Sequence, residues 1–522
     1  MKSIRRSAVS TIFAIGQFLS IGHSAIASDP IVVNPTGTSG FASLQSVNGM
    51  LLFQASDNLN GHELWMSDGT PTGTVMIEDI QPGVSGSFPR GFTGLGGSIF
   101  FSADNGSNGH ELRMFDVAAS GTALVRDINP GPAGSFTGTG GPMTIVNGGL
   151  LFRALNNSIG YELWKSDGTE AGTVLVKDII PGQAGSFPIE MTNVNGTVFF
   201  RADDGLPDIN HRELWRSDGT EAGTVIVKDI NPGPDAESVP GSLTSFNTLL
   251  IFNADDGTHG RELWRSDGTA AGTVMIQDIN PSGPSFPGGF VHFNGMLFFT
   301  ANDGTNGVAL WKTDGTNAGT MLVRALNEPP GSSGPNQLTN VNGTLFFTVT
   351  TFGALSHHEL WKTDGTSAGT VVVKTFSPES AYPAPDFLTN VNGTLYFAAN
   401  DGITGQELWK SDGTTAGTVL AADLNPGGAF SFSWPEKMTN VNGTLFFTAD
   451  DGMGNRLWAL DTSLPGDIDA DGDVDIDDLN AIVNVLMGSE LDPGYAARAD
   501  LNGDNNNNGM DIRPFIDTLL GP

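Results

Sequence analysis

Acidic side chains dominate the chemistry this sequence could perform. At residues 467–478, "DIDADGDVDIDD" places Asp467, Asp469 and Asp471 at positions 1, 3 and 5 of a twelve-residue loop. Gly472 follows at position 6, then Asp473 at 7, Asp475 at 9 and Asp478 at 12. Hard oxygen donors at this spacing wrap one Ca2+, with Gly472 supplying the sharp turn and Asp473 its backbone carbonyl. A second loop, "DLNGDNNNNGMD" at 500–511, sets Asp500, Asn502, Asp504, Asn508 and Asp511 at positions 1, 3, 5, 9 and 12. It departs from the pattern at Asn505, where glycine is expected, and at Asn507, where a small apolar residue usually packs. Asparagine tolerates left-handed backbone, so two Ca2+ ions are expected, the second in the poorer loop.

A different acid pair lies in "RELWRSDGTAAGTV", residues 261–274, where Glu262 and Asp267 flank Trp264. Two carboxylates beside an indole could cleave a sugar or hold a metal. The stretch recurs, however. Trp65, Trp164, Trp215, Trp264, Trp311, Trp361, Trp409 and Trp458 hold equivalent places, and Arg113 replaces the aromatic in the second copy. The glutamate is present in seven copies (63, 111, 162, 213, 262, 359, 407), with Ala309 and Arg456 in the others, and the aspartate is present in all nine. A catalytic centre needs groups in unequal roles, an acid beside a base that stays ionised, and nine equal copies do not provide that. An Asp before Gly caps its own turn, so the aspartate reads as turn chemistry and the tryptophan as packing between repeats. Pairing with a neighbouring repeat's Lys or Arg is the expectation for the glutamate. No catalytic or cofactor-binding residue is assigned.

From Trp65 to Trp458 the period is about 49 residues, that of a propeller blade. Each unit carries Asn-Gly and Asp-Gly turns between β-branched and aromatic runs, as in "VHFNGMLFFTANDG" and "VALWKTDGTNAGTMLVRAL", which predicts four antiparallel strands. Runs such as "TLFF" and "TVLV" are apolar on consecutive residues, so both faces of each sheet must be covered. The ninth copy stops after its third strand, and "PIVVNPTG" at 30–37 resembles the missing fourth. The expected fold is an all-β propeller of about nine four-stranded blades, with eight as the alternative. The N-terminal strand closes the ring, which leaves only short protected edges.

In such blades the first and third connections share one rim, and here they are short and uniform. The opposite rim varies: "QPGVSGSFPRGF" at 81–92, "DDGLPDINHR" at 203–212, "TTFGALSHH" at 350–358, "NPGGAFSFSWPEK" at 425–437. Variable loops on a rigid scaffold are where binding concentrates. They carry Phe88, Phe432, Trp434 and histidines 62, 110, 211, 259, 357 and 358. The histidines fall on different blades, or on opposite strand faces for 357 and 358, and read as polar loop residues rather than a metal site. The Asn-Gly-Thr triplets at 195, 342, 392 and 442 read as hairpin turns rather than glycan acceptors.

Two resemblances follow from these motifs. Residues 40–462, with "ELWKSDGTEAGT" at 162–173 as type, resemble bacterial secreted proteins that carry ELWxxDGT repeats, a likeness that implies little about activity. Residues 464–522 resemble a type I dockerin, in which position 12 is Asp and each loop is followed by one helix. Leu479, Ile482, Val483 and Leu486 form the first helix face, and Ile512, Phe515, Ile516 and Leu519 the second. The likeness implies a small α-helical domain that docks to a cohesin-like partner.

Lys2, Arg5 and Arg6, an apolar run from Ala8 to Gly22, and Ala25-Ile26-Ala27 predict a secretory signal peptide over 1–28. A propeller over 29–463 and the dockerin-like domain over 464–522 complete the expected organisation. Without cysteine there is no disulfide, Cys-ligated metal or Cys nucleophile. The net charge of −33 repels nucleic acid and anionic membranes, and no later run is long and apolar enough to span a bilayer. The sequence thus predicts a secreted or cell-surface, monomeric, non-enzymatic binding protein. Its propeller would present variable loops to a ligand, carbohydrate among the candidates, and its tail would dock in a calcium-dependent way to a cohesin-like protein or surface component. The alternative is an enzyme or accessory subunit of an extracellular polysaccharide-degrading assembly.

Overall fold

The computed structural model describes residues 29–118, 121–136, 143–205, 211–232, 237–326, 333–351, 357–376, 384–462, 476–487 and 499. The proposed signal peptide and every proposed calcium ligand except Asp478 lie outside this set.

The described residues form nine four-stranded antiparallel sheets. Blade five is typical, with Gly241–Phe246, Leu249–Asp255, Arg261–Ser266 and Val274–Gln277 running from inner to outer strand. Its second strand is buried along five consecutive residues, and the contacts explain the doubly apolar pattern. Leu250 and Phe252 pack with Phe199 and Leu214 of blade four, whereas Ile251 packs with Leu297 and Phe299 of blade six. Successive side chains point to opposite sheet faces, so each blade fills the cores on both sides of it. The motif tryptophan joins the same cores: Trp215 of blade four packs with Leu151 and Leu163 of blade three. A strap reinforces this seam, because Lys177 of blade three donates to the Thr224 carbonyl at 2.8 Å and lies 6.0 Å from the Trp215 ring centre.

The inner strands of neighbouring blades touch all the way round, from Ser39–Val47 to Glu436–Val441 and back. Side-chain amides lace them together. Asn193 Nδ2 donates to the Ile145 carbonyl at 2.7 Å, Asn390 to Asn340 at 3.1 Å and Asn440 to Asn390 at 3.0 Å. The ring closes as expected. Ile31–Val32 pairs antiparallel with Ala459 and Trp458 as the outermost strand of blade nine. Val33 is completely buried between Phe41 and Phe53 of blade one and Phe446 and Leu457 of blade nine, and Asn34 Oδ1 accepts the Leu457 N–H at 2.9 Å.

Beyond the propeller, one helix is described, Ile476–Met487. It begins two residues before Asp478, so this position-12 acid sits in its first turn with a fully buried side chain. Leu479, Ala481, Ile482, Val485 and Leu486 pack together with Ala499. Ala481 and Val485 are thus part of the face predicted around Leu479, Ile482 and Leu486, while Val483 is only half-buried outside that cluster.

Candidate functional site: the variable rim

The two rims use the repeated acids in opposite ways. On the uniform rim the third turns of seven blades, the first and the third to eighth, are tied by their own aspartate. In blade three, Asp167 Oδ1 accepts the Thr169 N–H at 2.9 Å and its hydroxyl at 2.7 Å, and Thr169 Oγ1 in turn accepts the Gly172 N–H at 2.9 Å. Ser166 and Thr173 hydroxyls meet at 2.7 Å beneath them. Gly168 takes the left-handed φ of +90°, and a Cβ at Gly172 would collide with the Asp167 carboxylate, which is why this turn spells Asp-Gly-Thr and then Ala-Gly-Thr. These hydrogen bonds hold the exposed Asp167 carboxyl below its usual range. The first turns carry Asn195, Asn342, Asn392 and Asn442 at φ of 44° to 49°, the hairpin role read from the sequence.

The motif glutamate is different, and the expected pairing with a Lys or Arg is corrected here. Glu162 is fully buried and accepts from the linker that crosses from the outer strand of its blade to the inner strand of the next. Its donors are the N–H groups of Ile179 (3.1 Å), Ile180 (3.2 Å) and Ser186 (3.0 Å) and the Ser186 hydroxyl (2.6 Å). Glu63, Glu111, Glu213, Glu262 and Glu407 bind Ser87, Ser135, Ser238, Ser285 and Ser433 in the same way. A carboxylate answers several linker N–H groups at once, which no basic side chain could do. Burial pushes Glu111, Glu162, Glu213 and Glu407 up to about 7, against the opposing pull of these hydrogen bonds. Glu359 is the exception. Its outer strand continues alongside it, pairing Glu359 with Thr375, and its carboxylate instead accepts the Trp361 indole N–H at 2.9 Å.

The clamp shapes the rim. In five of the six clamps the residue after the serine is in left-handed backbone: Phe88, Phe187, Val239, Phe286 and Trp434, at φ of 40° to 50°, whereas Phe136 after Ser135 is buried in the core. Bulky residues avoid this region unless their surroundings impose it. Here Phe187 donates its N–H to the Tyr161 carbonyl at 3.1 Å, and Phe286 to that of Arg261 at 3.2 Å, while the clamped serine fixes the residue before. The rings are thereby turned outward, with Phe187 45%, Phe286 63% and Trp434 47% exposed. Each neighbours the residue that precedes the motif glutamate, which varies from blade to blade: His62, His110, Tyr161, Arg212, Arg261, Val308, His358, Gln406. His62 stacks on Phe88 at 5.1 Å, Tyr161 on Phe187 at 4.9 Å, and Phe432 on Trp434 at 5.3 Å.

Of the residues singled out from the sequence, Phe88, Phe432 and Trp434 do stand on this rim. The histidines are dispersed. His62 and His110 begin third strands and are pushed down by burial. His211 is buried, and His259 is paired with Asp256 at 2.8 Å, which raises it. His357 contacts Glu359 while His358 contacts Thr350, on opposite strand faces. The variable segments 206–210 and 352–356 lie outside the described residues. Sequence reading missed Tyr161, Phe187, Phe286 and the arginines between them. The signals were the residue before Glu-Leu-Trp and the Ser-aromatic-Pro triplets at 87–89, 186–188 and 285–287. A concavity of about 540 Å3 opens on the inner strands between Gln45, Asn48, Thr93, Thr144 and Asn193, near the uniform rim.

Of the proposed calcium ligands, Asp478 is placed, buried at the start of its helix. Asp467, Asp469, Asp471, Asp473, Asp475, Asp500, Asn502, Asp504, Asn508 and Asp511 lie outside the described residues.

Fold and rim together define a closed nine-bladed β-propeller with one uniform and one variable face. Comparison with protein-family models and with curated proteins finds no match. Among solved structures the chain is similar to a puromycin hydrolase, at 15% identity and a TM-score of 0.35, over 70% of this chain and 58% of that one. It is also similar to a prolyl endopeptidase (12%, 0.40, covering 72% and 54%) and to oligopeptidase B from Leishmania major (10%, 0.40, covering 71% and 53%). The chain spans little more than half the length of each, and the likeness carries no inference about activity.

Proposed function

We propose that this is a secreted binding protein whose propeller presents the variable rim to an extracellular ligand. Its dockerin-like, calcium-loaded tail attaches it to a cohesin-like or other surface partner. One observation carries the reading: in six blades a buried glutamate is used to hold a linker, and in several of these the next residue is a strained, outward-facing aromatic. Backbone strain and exposed rings both cost free energy, and a scaffold that repeats them on one face only is presenting that face. The acid spacing at 467–478 and 500–511, followed by apolar helix faces, supports the tail assignment. An accessory, non-hydrolytic place in a polysaccharide-degrading assembly is compatible with the same two parts.

The test uses the full chain without its first 28 residues, with Ca2+ or with a chelator, on a glycan array and on surface extract of the producing cells. Calcium should be needed for capture of the surface partner, and Phe187→Ala with Phe286→Ala should abolish rim binding alone. Capture that ignores calcium would remove the tail reading, and binding that survives both rim substitutions would remove the rim reading.

A further inference from the structure

Blades three to five carry a cluster of arginines that is out of character for a chain of net charge −33. Arg201, on the second strand of blade four, pairs across the sheet with Leu214, and Asp203 pairs with Arg212. Paired residues share a face, so Arg201 and Arg212 lie diagonally on the side that meets blade five. Arg201 reaches into that seam: its Nη1 donates to the Pro240 carbonyl at 3.2 Å, and its Nη2 meets Glu190 at 3.3 Å. The next residue, Gly241, stands where a Cβ would come within 3.4 Å of Arg261 Nη1, itself fixed by Asn253 Oδ1 at 2.9 Å. Three guanidinium groups thus surround the entry of one inner strand.

Their protein counter-charges are incomplete. Glu190 serves Arg201, and Glu237 lies beside it. Among the described residues Arg212 and Arg261 make no ion pair. The acids in register with them, Asp203 and Asp255, are turned away into their own loops, accepting the N–H groups of Gly205 at 3.0 Å and Gly257 at 2.8 Å. Aromatic rings flank the cluster on both sides. Tyr161 and Phe187 stand at the blade three–four seam, and Phe286, bonded through its backbone to Arg261, stands at the blade five–six seam.

We infer that this strip, from Tyr161 and Phe187 through Arg212 and Arg261 to Phe286, with the paired Arg201 bracing it from the seam, binds an acidic polysaccharide, a sugar chain bearing uronate carboxylates. The inference rests on the rim-binding reading above and names its ligand class. The outward rings of Phe187 and Phe286 suit the C–H faces of sugar rings, and an arginine fork suits a carboxylate, which it grips through two parallel hydrogen bonds. Successive seams follow one another around the ring, as sugars follow one another in an extended chain. A peptide is less well served, because the linker N–H groups that could pair with its backbone are taken by the buried glutamates, and the closed ring offers no long free edge. A polyphosphate has no ring face for Phe187 or Phe286 to hold.

The experiment is calorimetric titration of the full chain without its first 28 residues with oligogalacturonate and oligoguluronate. Dextran oligomers and poly-glutamate serve as comparisons. At least one uronate oligomer should bind, more weakly as salt rises, and neither comparison should match it. Arg212→Ala with Arg261→Ala should weaken binding about tenfold or more, and Phe187→Ala comparably, with unfolding midpoints measured alongside. Should the double alanine variant not fold, Arg212→Lys with Arg261→Lys keeps the charge, loses the fork, and should still bind several-fold more weakly. Uronates that do not bind, or that bind these arginine variants as well as the parent, overturn the inference, as does poly-glutamate bound equally well. A neutral glucan bound through Phe187 but indifferent to the arginines overturns the acidic class while leaving the rim reading standing.

Discussion

Replacing Glu162 by alanine removes one acceptor from four donors, of which the Ser186 N–H alone has a second backbone acceptor, the Tyr161 carbonyl at 2.9 Å. The N–H groups of Ile179, Ile180 and Ser186 and the Ser186 hydroxyl all end on this carboxylate, at 2.6 to 3.2 Å, and both Glu162 and Ser186 are fully buried. An orphaned buried donor costs about 1–3 kcal/mol, so the two backbone N–H groups left without an acceptor, those of Ile179 and Ile180, set an upper range of about 2–6 kcal/mol. Water entering the vacated space recovers part of that, and the expected loss is about 2–4 kcal/mol. Glu162→Gln keeps the shape but turns an NH2 toward N–H donors, and should cost nearly as much. Asp167→Ala, five residues on, also removes an acceptor of two hydrogen bonds, but its donors are exposed and water replaces it, for about 0.5–1 kcal/mol. Urea unfolding of the full chain, followed by tryptophan fluorescence, measures all three. The reasoning fails if Glu162→Ala lowers the midpoint no more than Asp167→Ala does.

The same clamps make stability depend on pH. Glu111, Glu162, Glu213 and Glu407 are raised by burial to about 7 in the folded state, above the ordinary 4.5, so their contribution is fully present below about pH 4.5 and is lost as pH rises through 7. The urea midpoint should therefore be higher at pH 5 than at pH 8, and the Glu162→Gln variant should show a smaller difference between the two. Ring closure is tested at Val33, where Val33→Asp sets a carboxyl between blades one and nine and should cost roughly 3–5 kcal/mol, with aggregation as the freed edge of blade nine is exposed. An unchanged thermal midpoint would show that the N-terminal strand is dispensable. Phe286→Gly relieves left-handed backbone worth about 1–2 kcal/mol against a glycine entropy cost of about 0.5–1 kcal/mol. It should leave stability equal or slightly raised while weakening ligand binding, and a clear loss of stability would show that the ring serves the core.

How much of this was legible depended on whether a residue's partner was written in the same repeat. Nine repeat copies, eight of them centred on tryptophan, pointed to about nine blades, and the missing strand after Leu460 pointed to the N-terminus, because both signals are periodic or are gaps in a period. The turn aspartate was legible because its donors lie two residues away. The glutamate was not, because its partners are backbone N–H groups 17 to 24 residues on in Glu162's case, and backbone has no letter in the sequence. Only the serine carries a letter, and it is hidden among many. The arginine cluster was further out of reach: Arg201 and Arg261 are sixty positions apart, and the turn of the ring brings one blade's second strand to the entry of the next. Yet the two invisible features are one device. The carboxylate that holds the linker decides where the serine sits, in five of six blades the next residue is then in left-handed backbone, and in blades such as three and five that conformation turns a ring outward beside a side chain free to vary. The repeated motif is thus structural in its chemistry and functional in its consequence, since removing Glu262 should loosen Phe286 and the arginine strip beside it before it unfolds anything else.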